Sequence, residues 1–168
     1  MLTGALLLLS GCGDKEPVNT EVVEINSGSA ATAVTVGEMM APLTLNDQFE
    51  ANKTIGETHK KVIFVFSKDM GSLVHDYLET QPDDYLSSRN MEVVADISRM
   101  PSLITEYVAM PGFKEYKYSM MLILDEAVGA PYKNEKEKDK AMVVSLDKLT
   151  VTGVKFVATP ADLKAAID

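Results

Sequence analysis

The sequence is poor in the residues that carry most catalytic and metal chemistry. Its 168 residues include one cysteine, two histidines and no tryptophan. A single cysteine excludes an internal disulfide, a CxxC redox pair and any zinc or iron–sulfur site built from several cysteines. The two histidines, His59 and His75, leave little for a histidine-based metal site. The lack of tryptophan excludes tryptophan platforms for sugars or quaternary ammonium groups.

Positive charge is also scarce. Sixteen Lys and Arg residues face twenty-five Asp and Glu residues, so the formal net charge is −9. An acidic protein repels phosphate backbones, and nucleic acid is therefore not an expected partner. The content of 46% hydrophobic and 24% charged residues is typical of a globular protein, and the length suits one domain of ordinary size.

The first eleven residues predict an export signal. Residues 2–9 form an apolar run that is too short for a membrane span of about 20 residues. The run suits the apolar region of a signal peptide, which is about 7–15 residues long. No Lys or Arg precedes it, as one usually does in such signals, so we expect either a start codon further upstream or a shortened sequence.

The segment Leu9-Ser10-Gly11-Cys12 resembles the lipobox of bacterial lipoproteins, and it contains the only cysteine of the chain. The resemblance implies cleavage before Cys12 and acylation of Cys12, with palmitate-type chains, as a membrane anchor. Residues 13 and 14 are Gly and Asp, and we expect attachment to the outer membrane on its periplasmic face. Residues 12–39 are mostly small and polar, which predicts a flexible tether.

Residues 40–168 predict one folded domain in which strands and helices alternate. Five consecutive apolar residues at 62–66 favour a strand that is covered on both faces. Further strands are expected at 91–97 and 119–125, with an opening hairpin at 41–55 and a closing hairpin at 141–157. Helices are expected over 72–79, after Pro101, and from Pro160 to the end.

The helix after Pro101 has a clear apolar periodicity. Leu103, Ile104, Tyr107 and Val108 fall at helical spacing and predict a side that faces the core. The pair Pro111-Gly112 predicts the end of this helix.

The order of these elements resembles the thioredoxin-like fold. Strand–helix–strand units imply right-handed crossovers between parallel strands, and the closing hairpin adds antiparallel strands. The expected fold class is therefore α/β, with a central mixed sheet flanked by helices and an N-terminal β-hairpin. Residues 42–49 resemble the entry hairpin of the peroxiredoxin and membrane-tethered thiol–disulfide branches, and residues 62–66 resemble the strand that leads into their active-site loop.

The redox chemistry of that family does not carry over. The resemblance places the redox pair near residues 70–73, where the amino end of a helix would stabilise a thiolate, but no cysteine stands there. It places the family's cis-proline before the strand at 120–124, where this sequence has Ser119. A cis bond without proline costs about 3 kcal/mol. We therefore expect no dithiol oxidoreductase activity.

The remaining expectation is a membrane-anchored, non-redox protein of the cell envelope that binds a protein or peptide. In the family, the peptide groove lies between the loop at the first helix and the loop before the later strand. The resemblance implies that the groove is lined here by Ser67, Lys68, Asp69, Met70, Gly71 and Ser119. A loop that only connects and caps explains the same residues equally well. The sequence assigns no catalytic residue, metal or cofactor.

Two other functions remain open. One is a non-redox hydrolase in which Ser72 or Ser67 is the nucleophile and His75 is the base, although no G-x-S-x-G motif is present. The other is copper handling, because thioether ligands favour Cu(I). The candidate copper ligands are Met39, Met40, Met70, His59 and His75.

Overall fold

The computed structural model describes residues 33–168. The predicted signal peptide and Cys12 lie outside the described residues. The strands are β1 (Leu43–Asn46), β2 (Asn52–Ile55), β3 (Lys61–Val65), β4 (Met91–Asp96), β5 (Met121–Ile123), β6 (Ala141–Asp147) and β7 (Thr150–Val157). The helices are α1 (Lys68–Glu79), α2 (Tyr85–Ser88), α3 (Ser102–Ile104), α4 (Met110–Lys114), α5 (Glu126–Gly129) and α6 (Pro160–Ile167).

Five strands form one mixed sheet in the order β5-β4-β3-β6-β7. Strands β3, β4 and β5 are parallel, β6 is antiparallel to β3, and β7 is antiparallel to β6. At the centre, Phe64 pairs with Val94 on one side and Met142 on the other. Strands β1 and β2 form a separate antiparallel hairpin. The mixed sheet, its flanking helices and the N-terminal hairpin confirm the expected architecture.

Strand β3 is covered on both faces, as its apolar run predicted. Residues 62–65 of this strand are buried. Ile63 and Val65 pack in the core cluster that includes α1 and α6, whereas Val62 and Phe64 pack in the cluster on the opposite face. Successive side chains of a strand point to opposite faces, so one apolar run supplies both cores.

Helix α1 begins four residues before the expected position. Ser67 has extended backbone angles, and its hydroxyl accepts a hydrogen bond from the Met70 amide at 3.4 Å, so it is the N-cap. Asp69 lies in the first turn, where a negative charge stabilises the helix. The first turn of α1 therefore runs from Ser67 to Met70, directly after β3.

Residues 33–39, which the sequence assigns to the tether, contact the domain. The Ala33 amide donates to the Pro131 carbonyl at 2.8 Å, and the Gly37 amide donates to the Val151 carbonyl at 2.8 Å. Met40, at the expected start of the domain, is buried. Backbone contacts with the folded part therefore begin at Ala33 in the described chain.

The helical segment 102–114 differs most from expectation. Leu103, Ile104, Tyr107 and Val108 were expected to face the core, but their exposed fractions are 68%, 46%, 68% and 62%. No residue of α3, α4 or the turn between them is buried. An apolar stripe predicts one apolar side of a helix, but it does not decide whether that side meets the core or solvent.

Pro111 does not end this segment. The turn Thr105–Ala109 is π-helical, and the Met110 amide donates to the Thr105 carbonyl five residues before it. Pro111 then lies in the first turn of α4, which follows the π-helical turn without a break and continues to Lys114. Among residues 33–168, no helix combines the length and hydropathy that a bilayer span requires.

Candidate functional site

A cavity of about 480 Å³ lies between the sheet, the amino-terminal half of α1 and the helical segment 102–114. This volume is within the range of about 300–1,000 Å³ that is usual for ligand pockets. Buried side chains of the sheet and α1 form its inner wall, among them Val65, Val74, Val93 and Met120. Ile104 and Val108, two of the four exposed apolar residues of the segment 102–114, also line the cavity.

Three of the six predicted groove residues line this cavity: Ser67, Lys68 and Gly71. Met70 packs against the core on the same face of the sheet, and Asp69 is exposed. The first turn of α1 therefore lies at the cavity, which it lines with Ser67 and Lys68, and Gly71 lines the cavity next to it.

Ser119 lies at the other end of the sheet. Strands β3 and β5 run in the same direction through β4, so the residue after β3 and the residue before β5 are at opposite ends. The chain beside the end of β3 is the start of β6, because β6 is antiparallel and Met142 pairs with Phe64. The sequence order alone does not reveal which later strand lies beside β3, and the placement of Ser119 in the groove depended on that choice.

Ser119 instead borders a second cavity, of about 440 Å³, whose lining includes the charged residues Lys53, Glu92 and Lys117. Its hydroxyl donates to Asp47 Oδ2 at 2.7 Å, and Lys53 Nζ donates to Ser119 Oγ at 3.4 Å. Lys53 also forms an ion pair with Glu92, which is 5% exposed. Ser119 is thus one link in a chain of polar contacts between Asp47 and Glu92.

The two carboxylates of this chain have shifted pKa values. Burial raises the pKa of Glu92, and the ion pair with Lys53 offsets only part of that effect. Burial acts in the same direction on Asp47, but hydrogen bonds from Ser119 and from the Ala51 and Phe49 amides hold the pKa of Asp47 below its usual value.

Asp96, at the carboxyl end of β4, lines the larger cavity, and its side chain is only 2% exposed. Its Oδ1 accepts hydrogen bonds from the Ser98 amide at 2.9 Å and the Ser98 hydroxyl at 2.6 Å. Lys133 Nζ lies 2.8 Å from Oδ2. The negative charge of Asp96 is therefore compensated within the protein. Asp96 was not among the site residues expected from the sequence, although its position at the carboxyl end of a predicted strand was a usable signal.

The hydrolase candidates are not arranged as a nucleophile and its base. The His75 ring stacks on Tyr116, with 3.8 Å between centroids, and its Nδ1 lies 3.5 Å from the Tyr118 hydroxyl. Ser72 is exposed, and within residues 33–168 no hydrogen bond joins it to His75. Burial raises the pKa of the Tyr118 hydroxyl, which keeps it protonated beside the ring.

The copper candidates are spread over the molecule. Met40 is buried on the face of the sheet that carries the β1–β2 hairpin, whereas Met70 packs against the opposite face. Met39 is 72% exposed beside Thr150, and His59 accepts a hydrogen bond from the Gly56 amide. In the described part of the chain, no three His, Cys, Asp or Glu side chains converge as possible metal ligands.

Comparisons with known proteins identify the fold. No family model matches the sequence, and none of the curated proteins matches it. A protein described as the thiol:disulfide interchange protein DsbE from Chlorobium tepidum has a TM-score of 0.54 and 10% identity, over 80% of this chain and 99% of that one. One described as a protein disulfide isomerase from Bacteroides thetaiotaomicron has a TM-score of 0.53 and 13% identity, over 80% and 86%.

Peroxidoxin BcpB from Mycobacterium tuberculosis is a third similar structure, with a TM-score of 0.52 and 13% identity, over 80% of this chain and 94% of that one. Identities this low establish the fold and not the activity. The chain has a thioredoxin-like α/β fold, which confirms the fold that the sequence predicted.

Proposed function

We propose that this chain is a lipid-anchored, non-redox thioredoxin-like protein of the cell envelope that binds a partner protein. The partner covers the apolar stripe, which consists of Leu103, Ile104, Tyr107 and Val108. The observation that carries the proposal is that these four large side chains are between 46% and 68% exposed on one short helical segment. Contiguous apolar surface of this kind typically marks an interaction site.

Charge favours a protein over a lipid surface as the occupant of the stripe. Glu106 is exposed within the same turn, and the chain carries a formal net charge of −9. Both features oppose contact with an anionic bilayer. Tyr107 is the kind of amphipathic aromatic residue that anchors protein interfaces.

The first turn of α1 extends the proposed surface. Ser67 and Lys68 border the same cavity as Ile104 and Val108, so a partner that covers the stripe reaches this turn. Asp69 and Met70 complete the turn, and Gly71 follows it. Ser119 is not included, because it lies at the opposite end of the sheet.

The non-redox assignment is supported by the side chains of the first turn. The only cysteine of the chain is Cys12, in the predicted lipobox. The first turn offers the hydroxyl of Ser67 and the thioether of Met70, and neither group forms a disulfide with a substrate. A dithiol exchange step therefore has no attacking group at this position.

The anchor is tested with the Cys12→Ser variant in cells labelled with an alkyne analogue of palmitate. We expect label and membrane association in the natural chain and neither in the variant. Density-gradient separation of the membranes then distinguishes outer-membrane from inner-membrane attachment. Membrane association of the variant equal to that of the natural chain would contradict the proposed anchor.

Partner binding is tested by photo-crosslinking in intact cells. A benzophenone amino acid replaces Tyr107 in the stripe, and in the matched control it replaces Thr152, which is exposed on β7. We expect one protein adduct from the probe at position 107 and no adduct from the probe at position 152. The adduct at position 107 should disappear when Leu103→Ser is introduced into the same chain. The purified adduct partner is then titrated against the natural chain and Leu103→Ser.

Three results would contradict the proposal: equal adducts at both positions, an adduct indifferent to Leu103→Ser, or an adduct to lipid alone. The third result would identify the stripe as a membrane contact.

A further inference from the structure

Most of the inner wall of the larger cavity is apolar. Val74, Val93 and Met120, at 1%, 2% and 4% exposure, line it from α1, β4 and the entry to β5. The charged groups of the lining are Lys68, Asp96 and Arg99. A polypeptide inserted into this space would bury backbone N–H and C=O groups without partners, at a high cost in free energy. A hydrocarbon chain gains free energy from the same burial.

The charges around the cavity favour an anion. Asp96 is compensated by Lys133 and Ser98. Lys68 is exposed, and within residues 33–168 it takes part in no ion pair. Arg99 donates to Glu126 Oε1 from Nε at 2.8 Å and from a terminal nitrogen at 2.7 Å. Both side chains are more than half exposed, so this pair contributes little to stability and an anionic head can compete with Glu126 for the guanidinium.

We infer that the cavity is a binding site for a small amphiphile that has an unbranched hydrocarbon chain and an anionic head. The chain lies against Val74, Val93 and Met120, and the head, a carboxylate or a phosphate ester, lies beside Lys68 and Arg99. This site lies on the inner side of the apolar stripe and shares Lys68 with the proposed partner surface, but it does not depend on the proposed partner protein. Ile104 and Val108 serve both, since they separate the cavity from the exposed side of the stripe.

The site is tested by calorimetric titration of the full chain carrying Cys12→Ser, which has no acyl group of its own. The probes are hexadecanoate, a lysophosphatidate with the same chain, and hexadecanol as the neutral analogue. We expect saturable binding of both anions with one site per chain, and binding of hexadecanol at least about tenfold weaker. The tighter of the two anions identifies the source of the head group.

Two variants locate the ligand. Ala109→Trp fills the cavity from the helical segment 102–114, and Val108→Asp adds a carboxylate at a position that is 62% exposed and therefore tolerates a polar side chain. We expect each variant to bind hexadecanoate at least about tenfold more weakly than the parent chain does. Lys68→Ala should lower the affinity for hexadecanoate several-fold and leave the affinity for hexadecanol unchanged. Lys164→Ala, which removes the same charge from α6, should change neither affinity.

Several outcomes would overturn the inference. Absence of saturable binding of both anions is one, and binding that is indifferent to both Ala109→Trp and Val108→Asp is another. Equal affinity for hexadecanol and hexadecanoate would refute the anionic head. Circular dichroism shows whether each variant is folded. If Ala109→Trp fails to fold, the binding measured for Val108→Asp decides, since the side chain at position 108 is exposed and the substitution leaves the core intact.

Discussion

The side-chain oxygen Oε1 of Gln48 accepts a hydrogen bond from the backbone N–H of Met120 at 2.9 Å. The Nε2 group of the same amide donates to the Tyr118 carbonyl at 2.9 Å and to the Phe113 carbonyl at 3.3 Å. Gln48 is 0% exposed. One buried amide therefore joins the turn after β1 to the end of α4 and to the entry of β5.

Gln48→Leu is expected to lower the free energy of unfolding by about 1–3 kcal/mol, because the buried Met120 amide then has no partner. Urea denaturation measures the change. Asn52→Ala is the control, since Asn52 is exposed and its side-chain hydrogen bond to Asn46 is open to solvent. A change for Gln48→Leu no larger than that of the control would show that water or rearrangement replaces the lost bonds.

Lys53→Met is expected to destabilise the protein by about 3 kcal/mol at neutral pH, because it leaves the buried Glu92 carboxylate unpaired. Burial raises the pKa of Glu92 above its ordinary value of 4.5. The folded state thus binds this proton more tightly than the unfolded chain, and stability falls as pH rises from about 4.5 through the folded-state pKa. The cost of Lys53→Met should therefore shrink as the pH falls from neutral toward 4.5, because Glu92 becomes protonated in the folded state over that range.

Glu92→Gln supplies the control for this pH dependence. The double variant Lys53→Met with Glu92→Gln should recover most of the loss at neutral pH and should lack the extra pH dependence. Chemical denaturation across pH 3.5 to 8 measures both effects. If the loss of stability caused by Lys53→Met does not depend on pH, then the loss does not come from an unpaired Glu92 carboxylate.

Gly129→Ala is expected to destabilise the protein by about 1–3 kcal/mol. A Cβ at Gly129 would lie 2.3 Å from Asp96 Oδ2, so the carboxylate would have to leave Lys133. Gly112→Ala is the matched control, because Gly112 is also helical and no heavy atom lies within 4 Å of its added Cβ. Thermal unfolding should show a lower midpoint for Gly129→Ala and an unchanged or higher one for Gly112→Ala. Equal midpoints would contradict the close approach to Asp96.

Thiols installed in the first turn of α1 test whether the scaffold retains redox capacity. The double variant Ser67→Cys with Met70→Cys restores the CxxC spacing at a helix N-cap, where the dipole lowers a thiol pKa. In the Cys12→Ser background, we expect dithiol-dependent reduction of insulin by this variant and none by the parent. Ser72→Cys with His75→Cys has the same spacing further along the helix and should be inert.

Turnover by the parent chain would contradict the non-redox proposal. Equal turnover by the two thiol pairs would contradict the effect assigned to the helix terminus.

Local signals in the sequence were sufficient for the elements that depend on neighbouring residues. The run at 62–66 predicted a strand covered on both faces, and β3 is such a strand. The last helix was predicted to begin at Pro160, and α6 begins there, where Thr159 Oγ1 accepts a hydrogen bond from the Asp162 amide at 3.1 Å. The cap signal is reliable because helix capping involves residues close together in the chain. The strand signal is reliable because a run of five apolar residues presents apolar side chains on both faces.

The candidate site was predictable only in part. Residues 67–71 were expected to form a loop directly after the strand, and the structure places them in the first turn of α1, directly after β3. The assignment of Ser119 to the same groove depended on which later strand lies beside β3, and that strand is β6. Gln48 gave no local signal, because its hydrogen-bond partners Phe113, Tyr118 and Met120 are distant in the sequence.

The sequence by itself determined the order of strands and helices and the absence of a thiol from the first turn of α1. Only the tertiary structure decided that Leu103 and Tyr107 face solvent and that a cavity separates their helix from the sheet. The physical reason is that periodicity fixes which side of a helix is apolar through local geometry. Whether that side is buried depends on how closely the helix packs against the sheet. Residues far away in the sequence determine that spacing.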